Sequence, residues 1–317
     1  MTLLIGLHLP SFTFRGIPAD KLFDQVVEHA QAAEAAGFNL VTVMDHLYQI
    51  RGIGPEEEPM LEAYTTLGAI AARTSKVRLG TLVTGVTYRN PALLAKQVTT
   101  LDVISKGRAM LGIGAAWNED EHRGYGFEFP PIGQRMNRLE EALTICKAMF
   151  TEERPTFEGR YYRIDGALNN PRPLRPGGPQ VLVGGGGEQR TLRIVARFAD
   201  YSHWFGGPIE DLRRKHELLD RYCDEIGRDP ATINRTIGAP IVLVENETEG
   251  ERLMQDLPPE RRAMFRAATP DQAVEILEGY MDERFGGFTF NNVTLRTPDS
   301  FALAAEVIRK LEGSRVA

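Results

Sequence analysis

Cysteine is scarce in this 317-residue chain, and the two present, Cys146 in "LTICKAMF" and Cys223 in "DRYCDEIG", stand apart in helix-like surroundings. That excludes a disulfide framework and a C-x-x-C metal or redox motif, and it fits a reducing, cytoplasmic setting. A basic run of five or more is also lacking, since Lys and Arg are scattered and the net charge is −6. Neither nucleic acid nor an anionic membrane surface is indicated as a partner. No stretch approaches the roughly 20 apolar residues that a membrane span needs. The N-terminal "MTLLIGLHLPSFTF" has no basic leader and too short an apolar run for a signal sequence, so it reads as a first buried strand. The expected partner is a small molecule. A dinucleotide fingerprint is missing too: the first strand ends in "LHLPSF", and a G-x-G-x-x-G starting at Gly184 meets Gln189 where its last glycine belongs.

What is present is an alternation. Eight short apolar runs recur: "LLIGLHLP", "LVTVMDHL", "VRLGTLVTGV", "AMLGIGAAW", "QVLVGGGG", "DYSHWF", "TIGAPIVLVE" and "FTFNNVTL". Between them, segments such as 22–38, 91–105, 134–150, 209–227, 270–286 and 298–313 carry apolar residues three and four apart, which predicts helices. Strands apolar on both faces and separated by helices imply a parallel sheet covered on each side. Eight such units predict an α/β fold, a closed (β/α)₈ TIM barrel, as one domain over 1–317. Three segments interrupt the rhythm: 48–64 after strand two, 151–180 with five prolines after strand four, and the charged, partly helical 246–269 after strand seven. Each is too poor in apolar residues for a core of its own and reads as an insertion.

In such a barrel the loops after the strand C-termini carry the chemistry. Here they hold glycine, aromatics and amides, and only Asp45 and His46 titrate. That is too few for paired-carboxylate catalysis, and with His8 lacking an H-x-H partner no metal site is assigned. A bound planar cofactor that carries the reactivity itself suits this inventory. The glycines at 184–187 fit that picture, because a strand-to-helix junction exposes N–H groups to an anion and glycine permits close approach. On this expectation the N–H groups of Gly185, Gly186 and Gly187 face a phosphate, with Arg190 in the following helix's first turn adding charge. The alternative is a loose packing turn.

"VMDHL" after strand two, "RLGTLVTGVTYRNPALLAKQVTTLDVISKGRAMLGIGAAWNEDE" across strands three and four, and "VLVGGGGEQRTLRIVARFAD" at strand five resemble the bacterial luciferase-like flavin and deazaflavin oxidoreductases. The likeness covers nearly the whole chain, and "QIRGIGPEEEPMLEAYTTLG" and "NNPRPLRP" are similar to the branch that uses the deazaflavin coenzyme F420 rather than FMN. The resemblance implies that the phosphorylated side chain of the coenzyme lies at Gly184, Gly185, Gly186 and Gly187. It also implies a bulge in strand three with a cis peptide between Leu82 and Val83, Thr84 beside it, backing the ring. It further implies a homodimer.

His46 is the candidate acid or base, because histidine titrates near neutrality and hydride transfer is matched by a proton movement on the substrate. Asp45 orients the imidazole or bonds the ring system; alternatively, the two are a structural pair at the strand end. Trp117 is expected to wall the substrate side or to sit in the core, and Asn118 to hydrogen-bond the cofactor. Sugar-phosphate dehydrogenases of this superfamily carry an acid after the corresponding strand, whereas this chain has "AAWNEDE", which argues against a glucose-6-phosphate type of activity. The expected function is F420-dependent hydride transfer to or from a small organic substrate. The alternatives are an FMN monooxygenase and a non-catalytic coenzyme carrier.

Overall fold

A computed structural model describes residues 3–256, 262 and 265–314. In chain order the elements are β1 (Leu4–Leu9), α1 (Leu22–Ala36), β2 (Leu40–Val43), α2 (Ala63–Ala71), β3 (Arg78–Thr81), β4 (Thr84–Gly85), α3 (Pro91–Ile104), β5 (Met110–Gly114), α4 (Glu119–Tyr125) and α5 (Ile132–Thr151). There follow β6 (Phe157–Glu158), β7 (Arg163–Ile164), β8 (Gln180–Gly184), α6 (Thr191–Phe198), β9 (Tyr201–Trp204), α7 (Ile209–Glu225), β10 (Asn234–Gly238), β11 (Ile241–Leu243), α8 (Glu247–Asp256), β12 (Arg266–Ala268), α9 (Pro270–Asp282), β13 (Gly287–Asn291) and α10 (Pro298–Ser314). The main sheet runs β3-β2-β1-β13-β10-β9-β8-β5-β4, in which β3 and β4 are the two halves of the third predicted strand.

Contacts gather the chain into two units. In the first, which comprises Met1–Thr42, Tyr48–Met60 and Arg235–Ala317, β1 and β10 each pair in parallel with β13. Ile5, Leu7, Phe288 and Phe290 fill its core. The run "TIGAPIVLVE", expected as one strand, divides at Pro240. Proline has no N–H for the ladder, so the main sheet ends with the Ala239 N–H on the Thr289 carbonyl, and Pro240's own carbonyl receives Arg266 N–H to start the small β11-β12 sheet. The segment at 48–60 is tied down within this unit: Gln49 Nε2 donates to the Pro10 carbonyl at 3.1 Å and Thr13 Oγ1 to Glu58 at 2.7 Å. Part of the predicted third insertion, 257–261 and 263–264, lies outside the described residues.

The second unit, Val43–Leu47 and Leu61–Asn234, holds the parallel strands β4, β5, β8 and β9. Every residue of β5 is buried, as expected for a strand covered on both faces. A parallel bridge between Leu79 and Ala109 also links β3 to the start of β5. Two helices that the periodicity did not reveal are set by caps. The Glu62 side chain accepts Thr65 N–H at 2.7 Å to start α2, and Asn118 accepts Asp120 N–H at 3.2 Å to start α4, which Gly126 ends at φ +73°. In the proline-rich segment, a β6-β7 hairpin is followed by Arg172, which donates to the carbonyls of Met149, Phe150 and Glu152 and so caps the end of α5.

Candidate active site

The third predicted strand breaks between β3 and β4, where the Leu82–Val83 peptide bond is cis. The break is held by hydroxyls. Thr81 Oγ1 donates to the Gly112 carbonyl at 2.8 Å and accepts Thr84 N–H, while Thr84 Oγ1 bonds Thr81 Oγ1 at 2.8 Å and Tyr64 Oη at 2.7 Å. Glycines on the neighbouring strands make the room. A Cβ on Gly112 would stand 1.9 Å from the Thr81 carbonyl oxygen, and one on Gly114 or Gly184 would stand 2.9 Å from a Val83 methyl.

Asp45 and His46 follow β2 and point to different partners. The buried Asp45 carboxylate receives both Nη groups of Arg89, at 2.6 and 2.9 Å, and Gly85 N–H at 3.3 Å. Arg89 also donates to Glu62 at 2.7 Å and lies over the Tyr64 ring. Burial pushes the Asp45 carboxyl up to about 6 against the opposing pull of Arg89, so it is ionised at neutrality. Asp45 therefore does not orient the imidazole; its bonds hold the segment that carries Gly85 and Arg89.

Glu121 orients the imidazole instead. Its Oε1 lies 2.6 Å from His46 Nδ1 and also accepts the Tyr88 hydroxyl, while Oε2 accepts Leu47 N–H at 2.7 Å. Glu121 is fully buried. Burial works against its charge, yet the bonds from His46, Tyr88 and Leu47 hold the carboxyl below the usual range. A carboxylate only accepts, so Nδ1 carries a proton and Nε2 is the nitrogen open to a substrate. Beside the imidazole stands Trp117, edge-on with ring centroids 5.3 Å apart and 59% exposed, which excludes it from the core. Asn118 caps α4 through its side-chain oxygen, and its carbonyl receives His122 Nδ1–H at 2.5 Å. His122 Nε2 in turn meets Thr87 Oγ1 at 2.6 Å.

The four glycines after β8 serve different purposes. Gly184 makes room for Val83, and Gly185 adopts φ +111° with its N–H donated to the His203 carbonyl at 3.0 Å. That N–H is therefore not directed to an anion, contrary to the expectation from the glycine run. Gly186 lies against Lys215, whose Nζ would be 3.1 Å from a Cβ there, and a Cβ on Gly187 would meet Thr191 Oγ1 at 2.8 Å. Arg190 stands at the cap of α6 rather than in its first turn, and its guanidinium turns to α5, donating to the Gly133 carbonyl, Asn137 Oδ1 and Glu140 Oε2. Lys215, from α7, is the cation at the loop. It has no carboxylate partner among the described residues.

The family model described as luciferase-like monooxygenase matches residues 5–312. This chain belongs to the luciferase-like family. Among curated relatives, the F420-dependent glucose-6-phosphate dehydrogenase of Intrasporangium calvum is 32% identical over 310 residues, covering 86% of this chain and 89% of that protein. That of Kribbella flavida is 31% identical over 295 residues, covering 83% and 86%. Among solved structures, an F420-dependent secondary alcohol dehydrogenase in complex with an F420-acetone adduct superposes with a TM-score of 0.82 at 19% identity, covering 98% of this chain and 99% of the other. The (β/α)₈ barrel predicted from the alternation is thus the fold, in the luciferase-like form that the motifs resemble. Among the described residues, no helix is long and apolar enough to cross a membrane.

The strand-end inventory drawn from the sequence was too short. Tyr88, Arg89, Glu121 and His122 add four polar groups to this luciferase-like site. Glu121 and His122 are the only buried residues of α4, three and four positions after its Asn118 cap, and only that cap signal in the sequence could have pointed to them. "AAWNEDE" thus does carry a buried carboxylate, Glu121, in the first turn of α4, where it accepts from His46.

Proposed function

We propose that this protein is an F420-dependent oxidoreductase that moves a hydride between the deazaflavin ring and the carbon of an alcohol or carbonyl substrate, with His46 exchanging the hydroxyl proton. The observation that carries this reading is the His46–Glu121 pair, which leaves Nε2 available beside the exposed ring of Trp117. The names of the relatives support the coenzyme, and both the sugar phosphate and the secondary alcohol in those names carry an oxidisable carbinol. The residues present fit a ring with an anionic tail. The Leu82–Val83 bulge, with Thr84 tied to Thr81 beside it, is where the resemblance seats the ring, and the Asn118 amide nitrogen has no partner among the described residues. At the tail end are the N–H groups of Gly186 and Gly187 and the ammonium of Lys215, while Arg190, at the cap of α6, turns its guanidinium to α5.

When bound, F420 supplies two-electron hydride chemistry without activating oxygen. The chain does the rest. In the oxidising direction His46 Nε2 takes the hydroxyl proton as the carbinol C–H leaves with its electron pair and the C=O bond forms. Glu121 stabilises the resulting imidazolium, and Trp117 shields one side of the reacting carbon from water. In the reducing direction the imidazolium returns the proton. A homodimer, supported by the resemblance, and a cytoplasmic setting, supported by the two free cysteines, belong to the same reading.

The description of the matched family favours one other reading, an FMN-dependent monooxygenase. Calorimetry with F420 and FMN side by side, followed by turnover of C-deuterated alcohols under an oxygen electrode, separates the two. F420 binding at least about tenfold tighter than FMN, with deuterium transfer and no oxygen uptake, is the expected result. Preferential FMN binding with oxygen consumption would overturn the proposal, and tight F420 binding without any hydride exchange would leave a carrier.

A further inference from the structure

The proton acceptor is built with a tuning arm that hydride transfer does not itself require. We propose that Glu121 is the positioning residue of His46, and that the Tyr88 hydroxyl, by sharing Glu121 Oε1 with His46 Nδ1, sets how strongly that carboxylate holds the imidazolium. This rests on the assignment of His46 as the proton-exchanging group, but it concerns an interaction that exists without coenzyme.

The geometry limits what else these residues can do. Glu121 is fully buried, and the donors to its two oxygens include the His46 ring, the Leu47 backbone and the Tyr88 phenol. Buried and bonded to the imidazole, it acts through His46. Tyr88 is fixed from behind by His122 and Phe127, with centroids at 4.8 and 5.7 Å, and its phenol pKa is raised by burial and by Glu121. It therefore remains a donor throughout the working pH range. Gly85 gives the ring its place, since a Cβ there would stand 2.7 Å from Tyr88. Among the described residues, the groups packed near His46 include Asp45 on its own segment, paired with Arg89, which in turn bonds Glu62; Glu121 from α4; and the uncharged Trp117 between β5 and α4.

Two variants move His46 in opposite directions. Glu121→Gln keeps an acceptor for Nδ1–H but removes the charge, so the His46 pKa falls. Tyr88→Phe removes the competing donor and leaves more of the carboxylate charge to the imidazolium, so the pKa rises. A shift of about one pH unit, tenfold in the protonation constant, is the scale of one charge-assisted hydrogen bond. The measurement is the ¹⁵N and ¹H titration of the His46 ring in the coenzyme-free protein, assigned with His46→Gln. It keeps the imidazole distinct from the neighbouring Asp45 carboxyl. With F420 present, Glu121→Gln should lower kcat by on the order of 10²- to 10⁴-fold, the range seen when the orienting carboxylate of a histidine is neutralised, with coenzyme affinity unchanged. Glu121→Asp should recover part of the titration shift.

Opposed shifts establish the tuning pair. If folded Glu121→Gln and Tyr88→Phe proteins, judged by unaltered melting temperatures, both titrate at His46 like the wild type, the proposal is overturned. Should the opposed shifts appear while wild-type protein shows no coenzyme-dependent turnover, the pair stands and the functional proposal above falls.

Discussion

Val83 occupies the space that a side chain on Gly184 would need: a Cβ there would come within 2.9 Å of its Cγ1. The first of the four glycines is thus the complement of a side chain in the interrupted third strand. Gly184→Ala is expected to overpack this contact and destabilise the fold by about 1–3 kcal/mol, with Val83→Ala restoring part of the loss. Gly186→Ala meets only the far end of Lys215 and should leave the melting temperature nearly unchanged. Thermal unfolding of the three variants checks both expectations.

Lys215 rather than Arg190 is expected to govern the affinity for the anionic tail. Lys215→Gln should weaken F420 binding about tenfold, as the loss of one unshared cation predicts, and should flatten the dependence of affinity on salt. Arg190→Gln removes a half-exposed link to Glu140, worth about 1 kcal/mol or less, and should leave affinity close to wild type. Calorimetric titrations at two ionic strengths separate the two residues.

Arg89 neutralises a carboxylate that is almost completely removed from water. Arg89→Met leaves Asp45 buried and unpaired and should cost about 3–5 kcal/mol in urea unfolding at pH 7.5. The loss should shrink as the pH falls toward the wild-type Asp45 pKa, because without Arg89 the carboxyl is pushed higher still and takes up a proton first, which removes the buried charge. Asp45→Asn combined with Arg89→Met should be more stable than Arg89→Met alone.

His203 imposes a pH dependence of its own. Burial lowers its pKa from 6.5 to about 4. Between these values the unfolded chain binds a proton that the folded protein refuses, so stability rises with pH across that window. Falling from pH 6.5 to pH 4 should cost up to about 3 kcal/mol from this residue, at 1.36 kcal/mol per unit. His203→Gln should remove that part of the slope in denaturant titrations between pH 4 and 7.

Much of this was legible along the chain. Runs buried on both faces announced the strands, and the order of motifs announced the family and the cis bond at Leu82–Val83. The division at Pro240 was missed, because the apolar run was read as one strand although the proline without an N–H stood in its middle. Glu121 was passed over because the sequence search stopped at the strand ends, whereas its carboxylate enters the site from the first turn of a seven-residue helix. Tyr88 and Arg89 were passed over because a turn after an interrupted strand shows no periodicity to mark which side chains point inward.

Strand and helix alternation and the glycine positions were therefore written in the order of residues, because backbone preference and the absence of a Cβ are local properties, while the bond at the bulge came from the resemblance. The pairing of polar groups was not. His46 and Glu121 are separated by 75 positions and Arg89 and Asp45 by 44, and nothing in either spacing distinguishes these carboxylates from the many others on the surface. Which acid serves the histidine, which serves the arginine, and which cation reaches the glycine loop followed from packing, since burial removes water as the competing partner and leaves each charge only the groups that the fold brings within reach.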